Sequence, residues 1–248
     1  MHLAIIPARY ASTRFPGKPL ADMDGKSMIR RVYERVVAAE AIDEAVVATD
    51  DERILNHVLK FGGKAMMTRT DHPSGTDRVA EVAAHFPNAG VIVNVQGDEP
   101  FIDPRQIAAV VAPFTDPDVT IATLAHPITN ERALLSPNVV KVVRNDRGRA
   151  LYFSRHAVPF LRDVPMGQWI DQGKHLQHLG LYAYRAEVLP KLTGLPKGEL
   201  EGEESLEQLR WLAAGYAIHV GITDLPAIGI DTPGDLAEAV ALLRRGEF

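Results

Sequence analysis

The sequence predicts an α/β protein whose mixed, mostly parallel sheet is flanked by helices. Short apolar runs without polar alternation, the pattern of strands buried on both faces, recur between segments of helical periodicity. Clusters of charged and small residues follow those runs, at the carboxyl ends of strands where open α/β sheets bind their ligands. With 248 residues, 46% hydrophobic and 24% charged, the chain can bury one sizeable core, which predicts a single compact domain over residues 1–248.

Leu3 to Pro7 reads as the first strand. Ile29, Val32, Tyr33, Val36 and Val37 recur at helical spacing, and Ala45 to Ala48 supplies a second strand. Asp50 stands where a helix cap belongs, Ile54, Leu55, Val58 and Leu59 follow, and Gly62 with Gly63 closes that helix. A third strand near Ala65 to Thr68, a helix from about Thr76 to Phe86 and a fourth strand at Val91 to Val95 continue the alternation. Asp103 and Pro104 start the next helix, and Val119 to Leu124 makes a fifth strand. From Val139 to Phe153 two β-rich runs flank Asn145-Asp146-Arg147-Gly148, the mark of an antiparallel hairpin, so residues about 125–185 contain an excursion from the core. A strand near Leu179 to Tyr184, a helix around Ser205 to Ala214, a strand at Ala217 to Ile222 and a helix from Pro233 complete the chain.

Composition excludes several classes. The formal charge is -5 and the cations are spread along the chain, which disfavours a nucleic-acid partner. The absence of cysteine removes disulfides, thiolate zinc sites and cysteine nucleophiles. Met1 to Ala8 runs straight into a strand with no leader pattern, and no segment has the apolar length of a membrane span, so a cytoplasmic address is expected.

Three segments carry chemistry. Arg9 to Leu20 follows the first strand and holds Arg9, Ser12, Thr13, Arg14, Gly17 and Lys18, a set suited to polyphosphate, with Lys18 the natural point charge for a pyrophosphate leaving group. It has neither the Walker spacing nor the Gly-x-Gly-x-x-Gly of a dinucleotide binder. The fourth strand runs into Asn94-Val95-Gln96-Gly97-Asp98-Glu99-Pro100, which makes Asp98 the first candidate for Mg²⁺; Asp231, before Thr232-Pro233, is the second and also suits a helix N-cap. Thr70 to Arg78 by itself reads best as a capped helix start, although its small residues would also let backbone approach a planar base while Arg78 reaches phosphate or base. His175 and His178, three apart on a strand, do not form a zinc pair.

Taken together and in order, P-A-R-Y-A-S-T-R-F-P-G-K-P-L, S-G-T-D-R, N-V-Q-G-D-E-P, Y-F-S-R, H-L-G-L-Y-A-Y-R, E-S-L-E-Q-L-R and G-I-D-T-P resemble the CMP-Kdo synthetases, the 3-deoxy-manno-octulosonate cytidylyltransferases, over nearly the whole chain. The resemblance implies a Rossmann-like nucleotidyltransferase fold, a hairpin excursion used for dimerisation, a homodimer, and service to lipopolysaccharide synthesis. It also implies transfer of CMP from CTP to the anomeric hydroxyl of Kdo, with Mg²⁺ as cofactor. Position by position it puts Arg9, Ser12 and Lys18 at the CTP triphosphate, Ser74, Gly75 and Arg78 at the cytosine, and Gln96 on nucleotide or sugar. Asp98 and Asp231 fall on the metal, with Arg9, Lys18 and Asp98 as the catalytic set. Arg155, His178, Tyr182, Glu207 and Gln208 fall on the sugar, Arg155 facing its carboxylate. Gln177 stands where an arginine is expected and Arg162 to Lys174 matches no motif, so an amino-substituted Kdo or a sialic acid stays open as the acceptor. A glycosyltransferase is a further alternative, because Asp22 to Asp24 and Asp116 to Asp118 spell D-x-D; a non-catalytic nucleotide-binding module is a third.

Overall fold

The computed structural model describes residues 1–11 and 15–247. In chain order the elements are β1 (His2–Ala8), α1 (Met28–Val37), β2 (Glu44–Thr49), α2 (Glu52–Lys60), β3 (Ala65–Met67), α3 (Gly75–Ala83), β4 (Val91–Asn94), α4 (Pro104–Val111), β5 (Ile121–Pro127), α5 (Glu131–Leu135), β6 (Lys141–Arg144), β7 (Ala150–Ser154), α6 (Trp169–Gln172), β8 (Leu176–Arg185), α7 (Leu189–Thr193), α8 (Glu199–Glu204), α9 (Gln208–Ala213), β9 (Ile218–Ile222) and α10 (Pro233–Arg244). They fall into two compact units, Met1–Ala108 with Ala227–Phe248, and Ala109–Pro226.

In the first unit the strands lie in the order β3-β2-β1-β4, all parallel. Leu3 to Ile6 of β1 and Ala45 to Thr49 of β2 are buried, as expected for strands covered on both faces. Ser27 caps α1 by accepting from the Arg30 amide, and Met28, Ile29, Val32 and Val36 form its buried face. Val37 and Leu59, assigned above to apolar faces, are instead 57% and 51% exposed. Each follows a buried valine, and one helical step of about 100° turns it to solvent. The cap of α2 is Asp51, not Asp50: the Asp51 carboxylate accepts from the Arg53 amide at 2.9 Å and grips its guanidinium. That hydrogen bonding holds Asp51 below the usual carboxylate range. Met23, Met28, Phe101, Ile230 and Ala239 form one core cluster of this unit, joining its N-terminal and C-terminal segments.

In the second unit β5 pairs antiparallel with β8 and parallel with β9, while β6 and β7 form the expected antiparallel hairpin. Its turn is closed by Gly148 N donating to Asn145 O at 2.9 Å, with Gly148 at φ 76°, a conformation that glycine adopts without a Cβ penalty. The strand and helix order therefore confirms the mixed, mostly parallel α/β class. Lys141 of β6 has no exposed surface, and its ammonium donates to the carbonyls of Ser136, Val139 and Arg155 at 2.9, 2.6 and 2.5 Å. Burial pushes its pKa down. No helix among the described residues is long and apolar enough to cross a membrane.

Candidate active site

The carboxyl ends of β1 and β4 open into a cleft of roughly 280 Å³ within the first unit. Arg9, Lys18, Ser74, Gly75, Arg78, Gln96, Asp98 and Asp231 all line it, so every described CTP and metal candidate meets there; Ser12 lies outside the described residues. Close approach of the strands is what permits this. A Cβ on Gly97 would stand 2.8 Å from the Pro7 carbonyl oxygen, so only glycine lets the segment after β4 pass so near β1.

Lys18 occupies the centre. Gly17, at φ 74°, donates its amide to Tyr10 O at 2.9 Å and delivers Lys18 into a short 3₁₀ turn, Lys18–Leu20. The Arg53 guanidinium lies 3.4 Å from the centre of the Tyr10 ring. From the turn, Lys18 Nζ reaches Asp98 Oδ2 at 2.7 Å, Ile230 O at 2.8 Å and Asp231 Oδ1 at 3.5 Å. The two carboxylates thus converge on one point, although their positions in the chain are remote. A backbone hydrogen bond, Ile230 N to Asp98 O at 3.0 Å, ties the segments that carry them. Asp231 is not the cap of α10: Thr232 accepts from the Asp235 amide and the Asp235 carboxylate reaches back in a capping box.

Glu99, next to Asp98, is driven up to about 8 by burial and by the Asp98 charge. Two carboxylates presented together are hard oxygen donors of the kind Mg²⁺ takes alongside substrate phosphates, so the donor set fits that ion. Among the described residues no group of three or more His, Cys, Asp or Glu could hold a metal, and substrate oxygens would have to complete the shell.

The base-side candidates are held by their neighbours. Ser74 caps α3, accepting from the Asp77 amide at 3.1 Å and donating to its carboxylate at 2.6 Å, while Gly75 begins the helix at the cleft wall. The Arg78 side chain is 5% exposed and pairs with Asp50 at 2.7 Å, with further bonds to Thr68 Oγ1 and, at 3.4 Å, Arg69 O. Gln96 Nε2 donates to Asn94 Oδ1 at 3.3 Å. The sequence reading missed Asp50 as the anchor of Arg78, the role of Gly97, and His72, which lines the cleft and hydrogen-bonds Glu81. The glycine inside the Q-G-D-E-P block was the available signal for Gly97. Asp22 and Asp116 of the two D-x-D stretches accept backbone amides of their own turns, and Asp24 pairs with Arg244.

The sugar candidates other than Gln96 lie in the second unit. Arg155 donates to the carbonyls of Glu204, Pro137 and Ser205, and each terminal nitrogen keeps one further N–H. His178 Nε2 is 3.0 Å from Thr123 Oγ1, its ring packs 5.3 Å from Tyr182, and burial pushes its pKa down to about 3. Tyr182 packs edge-on against Trp211 of α9, the helix that begins beside Glu207 and Gln208. His178, Tyr182 and Trp211 thus form one aromatic cluster, while Arg155 is tied to the carbonyls of Glu204 and Ser205, just before Glu207 and Gln208 in the chain. His175, by contrast, stacks on Trp169 and lies 3.0 Å from Pro159 O through its Nε2.

A parallel α/β unit with cations and paired acids at its strand ends defines a nucleotide-handling enzyme, and comparison with known proteins makes the class specific. The chain belongs to the cytidylyltransferase family, whose model matches residues 3–218, and groups within it with proteins named 3-deoxy-manno-octulosonate cytidylyltransferase. The protein of that name from Bacteroides thetaiotaomicron is 54% identical over 246 residues, covering 98% of each chain. That from Syntrophotalea carbinolica is 52% identical, covering 97% of this chain and 98% of its own. The solved structure of CMP:2-keto-3-deoxy-manno-octonic acid synthetase complexed with CTP superposes with a TM-score of 0.92 at 43% identity, covering 99% of both chains. The resemblance drawn from the motifs is borne out.

Proposed function

We propose that the protein transfers CMP from CTP to the anomeric hydroxyl of 3-deoxy-manno-octulosonate, releasing pyrophosphate. The observation that carries this is the meeting of Asp98, Asp231 and Lys18 beside Arg9 in one cleft, in a chain about half identical over its full length to relatives bearing that name. In-line attack of the sugar hydroxyl on the α-phosphorus leaves the protein little covalent chemistry, so positioning and charge neutralisation do most of the catalysis. Arg9, exposed at the end of β1, and Lys18 bind the triphosphate and neutralise charge growing on the leaving pyrophosphate. Ser74, Gly75 and Arg78 wall the base, and Gln96 reaches nucleotide or sugar. Asp98 and Asp231 hold Mg²⁺, which when bound supplies charge neutralisation at the α-phosphate and at the sugar hydroxyl. Arg155, through its two remaining terminal N–H groups, grips the sugar carboxylate, with His178, Tyr182, Glu207 and Gln208 around the ring.

The protein acts as a homodimer formed through the second unit, where Leu151, Phe160 and Met166 are 59%, 73% and 51% exposed and suit burial against a second copy. Pyrophosphate release assayed with each ribonucleoside triphosphate against Kdo, its 8-amino derivative and a sialic acid tests the activity. Turnover is expected with CTP and Kdo; none with that pair overturns the reading. Light scattering tests the dimer, which a monomer mass would refute.

A further inference from the structure

Lys18 stands where a divalent cation bound by both acids would stand. Its Nζ is 2.7 Å from Asp98 Oδ2, 3.5 Å from Asp231 Oδ1 and 2.8 Å from Ile230 O, and its side chain is only 13% exposed. A small divalent ion needs contacts of about 2.0–2.1 Å to the same carboxylate oxygens. An ammonium already in contact with one of them would then be a few ångströms from a doubly charged ion, a strongly repulsive arrangement in a cleft partly shielded from water. Lys18 and the cation therefore exclude each other. The protein also supplies only two carboxylates at this point, and among the described residues no third His, Cys, Asp or Glu joins them.

We infer that Lys18 is a built-in counter-ion of the cation site, which makes tight divalent-cation binding conditional on a polyphosphate. Without nucleotide the ammonium offsets one of the two negative charges and occupies the place a cation would take between the carboxylates. A triphosphate in the cleft, next to Arg9, offers the ammonium a stronger anion. Lys18 then moves from Asp98 and Asp231 to the phosphates, and the acids and phosphate oxygens together complete a coordination shell. One side chain thus serves two partners in succession, and the order of loading follows: nucleotide before or with metal, never metal alone. This rests on the cytidylyltransferase reading of the cleft, but its test does not depend on turnover.

The experiment measures Mn²⁺ binding by electron paramagnetic resonance, in the full chain without nucleotide, for the unsubstituted protein and for Lys18→Met. The substitution keeps an unbranched chain out to the ε position and removes the ammonium with its charge. Lys18→Met should bind Mn²⁺ at least about tenfold more tightly than the unsubstituted protein, and inorganic triphosphate should bring Mn²⁺ onto the unsubstituted protein beyond what triphosphate binds in a protein-free control. Equal affinity in the two proteins, or no effect of triphosphate, overturns the inference. In case the variant does not fold, the ammonium resonance of Lys18 in the ¹⁵N-lysine-labelled unsubstituted protein gives a second readout. It should be protected from exchange without ligand and shift when triphosphate is added; an unchanged resonance refutes the exchange. A protein that shows this exchange yet releases no pyrophosphate from CTP and Kdo would sink the functional proposal alone.

Discussion

Replacing Asp50 by Asn tests how the cleft holds Arg78. The Arg78 side chain is 5% exposed and that of Asp50 17%, and they meet at 2.7 Å, so the variant leaves a guanidinium with no opposing charge in a site that water scarcely reaches. Removing one partner of a fully buried pair costs about 3–5 kcal/mol. Here the asparagine oxygen still accepts one hydrogen bond, Thr68 and Arg69 O remain as acceptors, and Asp50 is partly open, so about 2–3 kcal/mol is expected. For a chain of this size that lowers the melting temperature by about 5–10 °C. Thermal melting followed by circular dichroism reads the shift, and the KM for CTP should rise with it as the cleft wall loosens. The double variant Asp50→Asn with Arg78→Met, which no longer strands a charge, should regain part of the loss. A single variant melting within about 1 °C of the unsubstituted protein would refute the assignment of Asp50 as the anchor.

Gly97→Ala forces a Cβ to 2.8 Å from Pro7 O, and backbone cannot step aside as a side-chain tip can; a loss of about 1–3 kcal/mol is expected in a denaturant titration, and unchanged stability would show that the strands do not touch there. Asp98→Asn should lower kcat for pyrophosphate release by at least about 10²-fold while the protein melts near its normal temperature; near-normal turnover defeats the metal assignment. His178 falls from its ordinary 6.5 to about 3 on folding, so the unfolded chain takes up a proton more readily than the folded one. Its contribution to stability is complete above pH 6.5 and is lost as pH falls toward 3, by no more than about 1.4 kcal/mol per pH unit. The stability gap between the unsubstituted protein and His178→Gln should therefore narrow between pH 7.5 and 4.5, and a constant gap would contradict the burial of that ring.

The alternation of strands and helices was legible because unbroken apolar runs and helical periodicity are local properties. The short helices α5 to α8 were not, since helices of four to six residues carry too few turns to show a repeat. Two caps were placed one residue too early, at Asp50 and Asp231, for a common reason. Each stands beside a second residue of capping type, Asp51 and Thr232, and only the backbone angles decide which side chain turns onto the helix. In both cases the displaced acid lines up with a cation instead: Asp50 with Arg78, Asp231 with Lys18. Most of the charged members of the cleft could be named from their motifs, but not their partners. Arg78 of α3 finds Asp50 just past the end of β2, and Lys18 finds both acids through a turn whose shape Gly17 sets.

The bond from Ile230 N to Asp98 O has a bearing on biosynthesis. The second unit is interposed in the sequence between Asp98 and the segment that brings Ile230 and Asp231 back. A growing chain on the ribosome therefore makes Asp98 first and Asp231 only after the whole second unit has been synthesised. Chains cut short before residue 227 lack Asp231 and the Ile230 carbonyl, and with them two of the acceptors that seat Lys18, whatever else of them has folded.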